Sequence, residues 1–196
     1  MSDSTRSCGT DGEARWRSAL VALTLSLVFM MKPVHASTVN APPLPPQVAL
    51  LAPNLKAQGG GELTFFGISI YDGYYWSPTR GWSQDGPFAL DLHYHRALDG
   101  VKIAERSVGE IAKMGYGNAE QCARWGEEMK RLFPDVRRGD RLTGVNLPGG
   151  VVRFFHNGKP IGDITDPGFA RAFFGIWLDP KTSQLDFRRR LLGESP

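Results

Sequence analysis

The sequence predicts an α+β domain in which an antiparallel sheet carries helices grouped on one side, rather than a βαβ repeat. Three observations carry that reading. Strand-like runs rich in β-branched and aromatic residues come first, two segments of helical period follow, and strands then return as tight hairpins ahead of two further helical stretches. Composition agrees with a globular fold: 41% apolar and 22% charged residues, with 23 Gly and 14 Pro, exclude collagen-like, coiled-coil and mostly disordered chains. The net charge of +3 is scattered rather than striped, so no nucleic-acid partner is expected.

Ahead of these elements, Arg15 and Arg17 precede an apolar stretch over residues 18–31, and Lys32-Pro33-Val34-His35-Ala36-Ser37 follows. This order of charge, apolar core and small residues is that of a secretory signal, with cleavage expected after Ala36. The stretch falls short of the roughly 20 residues that span a bilayer. Residues 1–36 are therefore read as a signal peptide, the chain as periplasmic or secreted, and no stable membrane span is expected after signal removal; the alternative is a retained anchor or a buried helix. Residues 37–50 begin with the proline-rich Ser37-Thr-Val-Asn-Ala-Pro-Pro-Leu-Pro-Pro46 and are expected to form an extended tether to a domain over 51–196. Cys8 falls in the leader, so Cys122 is alone in the remainder and no internal disulfide is expected.

The first strand-like run spans residues 62–76, with Phe66, Ile68 and Ile70 on one face. A second, over residues 87–95, alternates cleanly: Phe88, Leu90, Leu92 and Tyr94 point inward, while Ala89, Asp91, His93 and His95 form a solvated outer face. Helical spacing then places Val101, Ala104, Val108, Ile111 and Ala112 on one stripe. It places Cys122, Trp125, Met129, Leu132 and Phe133 on another, opened by Asn118 as N-cap and closed before Pro134. Strands follow over 140–147, 151–156 and 160–164, the last two joined by the tight turn Asn157-Gly158. Asp166-Pro167 reads as an N-cap with Pro at the first helical position, ahead of the apolar face Ala170, Phe173, Phe174 and Trp177. Ser183-Gln-Leu-Asp186 reads as a capping box for a last short helix ending near Leu192.

Signatures of common chemistries, including G-x-S-x-G, H-E-x-x-H, C-x-x-C and the phosphate-binding G-x-x-x-x-G-K-S/T, are missing from the sequence. Gly59-Gly60-Gly61 precedes a strand and not a helix, so it offers no phosphate cradle. His93 and His95 share a strand face but lack an evident third ligand. Cys122 lies on an apolar helical stripe, where a free thiol packs as a small hydrophobe. The run Arg188-Arg189-Arg190 reads as the solvated face of a helix. No metal and no cofactor is expected.

A family resemblance rests on several segments in order: Ile70-Tyr71-Asp72, Trp76-Ser77-Pro78, Ala104-Glu105-Arg106-Ser107, Gly139-Asp140-Arg141-Leu142-Thr143-Gly144, Phe154-Phe155-His156-Asn157-Gly158, Phe173-Phe174-Gly175-Ile176-Trp177-Leu178-Asp179-Pro180 and Leu191-Leu192-Gly193. Together they resemble the bacterial branch of the chalcone isomerase-like proteins. The resemblance implies an open-faced β-sandwich, one large antiparallel sheet under a layer of helices, with a cleft between the layers. It also implies two uses of that cleft: plant enzymes of the family close a flavanone ring, and plastid relatives bind fatty acids. Both rely on an arginine on the first cleft strand with hydroxyl side chains nearby.

Carried over by position, the arginine falls on Glu62, the neighbouring threonine or tyrosine on Tyr71, the enzyme's tyrosine and asparagine near Ile103 and Glu110, and its late threonine near Ile176. These five are the candidate cleft residues. A carboxylate at Glu62 would repel a phenolate where positive charge is needed, so chalcone cyclisation is not expected, and neutral or cationic apolar ligands are expected to be preferred. The leading reading is an exported, non-catalytic protein that binds a small apolar or amphipathic ligand. The alternative is an isomerase or intramolecular lyase with a different residue set, such as Glu62 as base and Tyr71 as donor. A partner-binding structural module is a third.

Overall fold

Antiparallel pairing organises the described part of the protein, residues 40–194 of a computed structural model. Strands β1 (Lys56–Phe65), β2 (Ile68–Ser77), β3 (Phe88–Tyr94), β4 (Arg141–Leu147), β5 (Val151–His156) and β6 (Lys159–Ile164) form one six-stranded sheet in sequence order. Helices α2 (Gly100–Lys113) and α3 (Ala119–Leu132) interrupt the meander between β3 and β4, and α4 (Phe169–Leu178) and α5 (Leu185–Leu191) follow β6. These four helices form a layer: α2 packs on α3 and α4, α3 touches β6, α4 touches β5, and α5 closes over β1 and β2. The α+β class and the one-sided helical layer are those the sequence predicts. The expected signal segment lies outside the described residues.

Period-two alternation sorts the sheet's side chains. Tyr71, Tyr75, Leu90, Leu92, Tyr94, Leu142, Phe154 and Ile164 face the helices and join a core with Phe173, Phe174, Trp177 and Phe187. Their neighbours face the reverse side. There the helix α1 (Pro46–Leu51) covers one end of the sheet, with Val48 fully buried among Ala89, Val145 and Phe155, and Leu44 and Leu51 beside them. The tether expected through residue 50 is thus replaced from Pro46 on by a helix that packs on the sheet. Its prolines Pro45 and Pro46 start a helix, a position where a missing N–H is harmless.

Other local expectations are corrected by long-range packing. The single run over residues 62–76 is a hairpin that turns at Phe66-Gly67, both in the left-handed region. Gly59 lies inside β1 because the C-terminal backbone of α5 comes too close for any Cβ. Asp166 is not the cap of α4, which starts after Gly168; its carboxylate accepts the Trp125 Nε1–H at 2.8 Å and pairs with Arg124. The Ser183 capping box does not form either: α5 is preceded by Gln184 without a side-chain cap. Arg188 and Arg190 are not merely solvated, since each donates to a backbone carbonyl, of Leu178 and Glu62 respectively. Asn118, by contrast, makes the reciprocal capping box with Gln121 that starts α3.

Candidate functional site

Between the helix-facing side of β1–β4 and the helices α2 and α4 lies a cavity of about 260 Å³. Tyr71, Leu92, Tyr94 and Leu142 form its floor, and Phe173, Ile176 and Trp177 of α4 one wall. Ile103, Arg106, Ser107 and Glu110 of α2 form another, and the exposed Thr64, Phe65 and Lys102, with the half-buried Leu63 and Leu98, mark its mouth. Apart from that second wall, Thr64 and Lys102 at the mouth, and Ser183 and Gln184, the lining is apolar and aromatic.

The floor is built from strand alternation, which sends Tyr71 and Tyr94 to one side of adjacent strands, in register and with rings 5.6 Å apart edge to face. The Tyr71 hydroxyl accepts the Trp177 Nε1–H at 2.8 Å, which leaves its own proton free to donate. Burial pushes the Tyr71 phenol far above its ordinary range, outweighing that hydrogen bond, and burial does the same to Tyr94. Both are therefore neutral donors at any physiological pH.

The polar wall comes from helical spacing. Ile103, Arg106, Ser107 and Glu110 follow at i, i+3, i+4 and i+7, one face of α2. Glu110 pairs with Arg106 at 2.8 Å and with Lys113 at 3.0 Å, and accepts the Ser183 hydroxyl at 3.0 Å. Burial alone would raise the Glu110 carboxyl, but the Lys113 and Ser183 hydrogen bonds and the Arg106 charge prevail and hold it below the usual carboxylate range. Arg106 also stands over the Phe65 ring, 5.3 Å from its centroid.

Four candidate residues, Tyr71, Ile103, Glu110 and Ile176, line the cavity; Glu62 does not. Glu62 stands opposite Asp72 and is exposed, while its neighbour Leu63, opposite Tyr71, takes the place at the mouth. In a strand one residue decides the face, so the carry-over to Glu62 lands on the wrong side of the sheet. The repulsion argued from its charge falls with it. The cations at the cavity are Arg106 and Lys102, which the sequence reading leaves out of the candidate site together with Tyr94, Trp177 and Ser183. The i, i+3, i+4, i+7 spacing from Ile103 was the available signal. It is masked by the stripe through Val101, a residue that is exposed in the fold.

A model of the chalcone isomerase-like proteins matches residues 37–193. The chain belongs to the chalcone isomerase-like family. An uncharacterized protein of Haemophilus influenzae is 27% identical over 138 residues, covering 70% of this chain and 67% of that relative. The solved structure of a fatty-acid binding protein of Arabidopsis thaliana is similar with a TM-score of 0.55 and 11% identity, over 71% of this chain and 87% of that one. At this identity the likeness establishes the shared fold.

A second polar cluster of this chalcone isomerase-like domain lies on the reverse face of β3 and β4. Asp91 is fully buried there, although the sequence placed it on a solvated face. It accepts Arg141 Nε–H at 2.7 and 2.9 Å, the Thr143 hydroxyl at 2.7 Å and a contact from His93 Nε2 at 2.8 Å. Burial would raise its carboxyl, but the hydrogen bonds and charges of His93 and Arg141 hold it below its ordinary range. His95 sits instead 3.1 Å from Asp72, so the two histidines do not converge on one site.

Proposed function

We propose that this protein is exported and binds, without catalysis, an amphipathic ligand with an apolar chain and an anionic head. The observation that carries the reading is the division of the cavity: an apolar, aromatic interior with two neutral tyrosines on its floor, and cations confined to the α2 wall and mouth. The apolar chain fills the interior, and the head, a carboxylate being the simplest, meets Arg106 and Lys102. Arg106 can fork onto a carboxylate, and its exposed side leaves room to exchange Glu110 for a ligand. The volume lies just under the roughly 300–1,000 Å³ of typical small-molecule sites, which suits a short or partly inserted chain. A base is what the cavity lacks: its carboxylate is held low and its phenols high, both away from the neutral range that general base catalysis favours.

Isothermal titration of the protein with a series of straight-chain carboxylates tests this. Affinity should rise roughly fourfold per added CH2 and then level once the cavity is full. Arg106→Gln should weaken binding of the carboxylates by about tenfold while changing little for the matching alcohols. Equal loss for acids and alcohols, or no binding by any chain, would remove the proposed head-group contact. N-terminal sequencing of the exported protein, expected to begin at Ser37, tests the export.

A further inference from the structure

The chain makes the same two-residue turn twice, with different chemistry. At the β5–β6 hairpin, Asn157 and Gly158 have φ of 50° and 78°; at the β1–β2 hairpin, Phe66 and Gly67 have 49° and 74°. Asn-Gly is what this turn favours, because asparagine tolerates the left-handed region and glycine is unhindered there. A bulky aromatic residue in that region is an outlier. Phe66 contributes nothing to the core in return: it is 90% exposed, and Phe65 and Ile68, paired across the turn, are 46% and 49% exposed. Folding alone would select against this tip.

Its position gives the tip a purpose. Thr64 and Phe65 lie at the mouth of the cavity, and Phe66 stacks edge to face on Phe65 at 4.5 Å. Basic residues border it: Lys102 at the mouth, Arg106 over the Phe65 ring, and Arg96, exposed in the loop whose His95 N–H bonds to the Ile70 carbonyl. The hairpin segment over residues 63–71 carries no acidic residue. Protruding aromatic side chains with a basic collar suit the interface of a bilayer containing anionic lipid. They do not supply the flat area of roughly 800 Å² per partner that a standard protein interface buries.

We propose that the β1–β2 hairpin tip docks the protein on an anionic lipid bilayer, inserting Phe65, Phe66 and Ile68 so that the cavity mouth faces the membrane. Glu105 and Glu110 pair with Lys102 and Arg106, so insertion of the apolar tip carries the larger share of the binding and charge the smaller. The docking stands on the exposed tip; only the meaning of a mouth that faces the membrane, a route for the ligand into the cavity, rests on the function proposed above.

The test is spin labelling of the full chain in vesicles of phosphatidylcholine and phosphatidylglycerol. A nitroxide at Thr64→Cys is used with Cys8→Ser, so that only the buried Cys122 remains. On vesicles the label should gain accessibility to oxygen and lose it to a water-soluble nickel chelate. The same label at Gln84→Cys, in the loop at the opposite end of the sheet, should not respond. Adding Phe66→Asp should lower the inserted fraction seen from Thr64 by roughly tenfold. Because the label reports locally, attachment through the leader does not mimic the result. An unchanged label at Thr64, an equal response at Gln84, or indifference to Phe66→Asp would overturn the proposal. So would a response that appears without vesicles and grows with protein concentration, which would assign the tip to a second copy of the chain. The titrations with soluble carboxylates need no membrane, so the two readings fail separately.

Discussion

Asp91 shows how much a single residue's surroundings decide. Alternation assigns it to the reverse face of β3, which is where it lies, and a carboxylate there is ordinarily solvated. Across the sheet, however, Arg141 and Thr143 of β4 close over it and satisfy its oxygens. Removing one partner of a buried ion pair leaves the other uncompensated, so Asp91→Ala should destabilise the domain by about 3–5 kcal/mol. The double replacement Asp91→Leu with Arg141→Met should recover most of that loss, because it removes both desolvated charges. Urea unfolding of the three proteins checks this; if the double variant is less stable than Asp91→Ala, the ion pair is not the source of the effect.

At the level of elements, the parts set by local chemistry were the legible ones. The stop of α3 before Pro134, its Asn118 cap and the Asn157-Gly158 hairpin need only neighbouring residues, and each forms as read. Asn118→Ala should therefore cost about 1 kcal/mol, since it leaves first-turn N–H groups without their acceptor, and Asn118→Ser should restore most of it. The starts of α4 and α5 differ from the expected caps because Asp166 and Ser183, fair caps in isolation, are taken by Trp125 and Glu110. Gly59 illustrates the same competition: the sequence places it ahead of a strand, but it lies inside β1, where the backbone at the end of α5 presses on it. Gly59→Ala should lower the unfolding midpoint markedly, whereas Gly81→Ala, where a Cβ meets only open space, should cost no more than its positive φ demands.

For the whole molecule, the shifted carboxylates agree in sign. Asp91, Glu110, Asp140 and Asp163 are all held below their ordinary values, so the unfolded chain takes up protons first as pH falls. Their contribution is complete above the unfolded carboxylate range and is lost as pH drops below about 4 and through the folded values. Tyr71 and Tyr94 act at the other limit: their raised phenols stay protonated in the fold, and stability declines above about pH 10, where the unfolded chain ionises them. The urea midpoint should thus be flat around neutrality and fall on both sides. Asp91→Asn should make the acid limb shallower, and an acid limb unchanged by that variant would place the linkage elsewhere.

The sequence by itself determined the α+β class, the order of strands and helices from β3 onward, the apolar face of β3 and the family, because these follow from periodicity, turn chemistry and ordered motifs. Only the tertiary structure decided which face of α2 meets the cavity, that Leu63 and not Glu62 stands at its mouth, and that α1 covers part of the reverse face. The reason is geometric. Facing in a strand flips with each residue and is fixed by cross-strand register, and burial depends on what packs over a face from far along the chain. Arg106 could be read as part of a helix, but its place beside an apolar cavity exists only once the helix lies on the sheet.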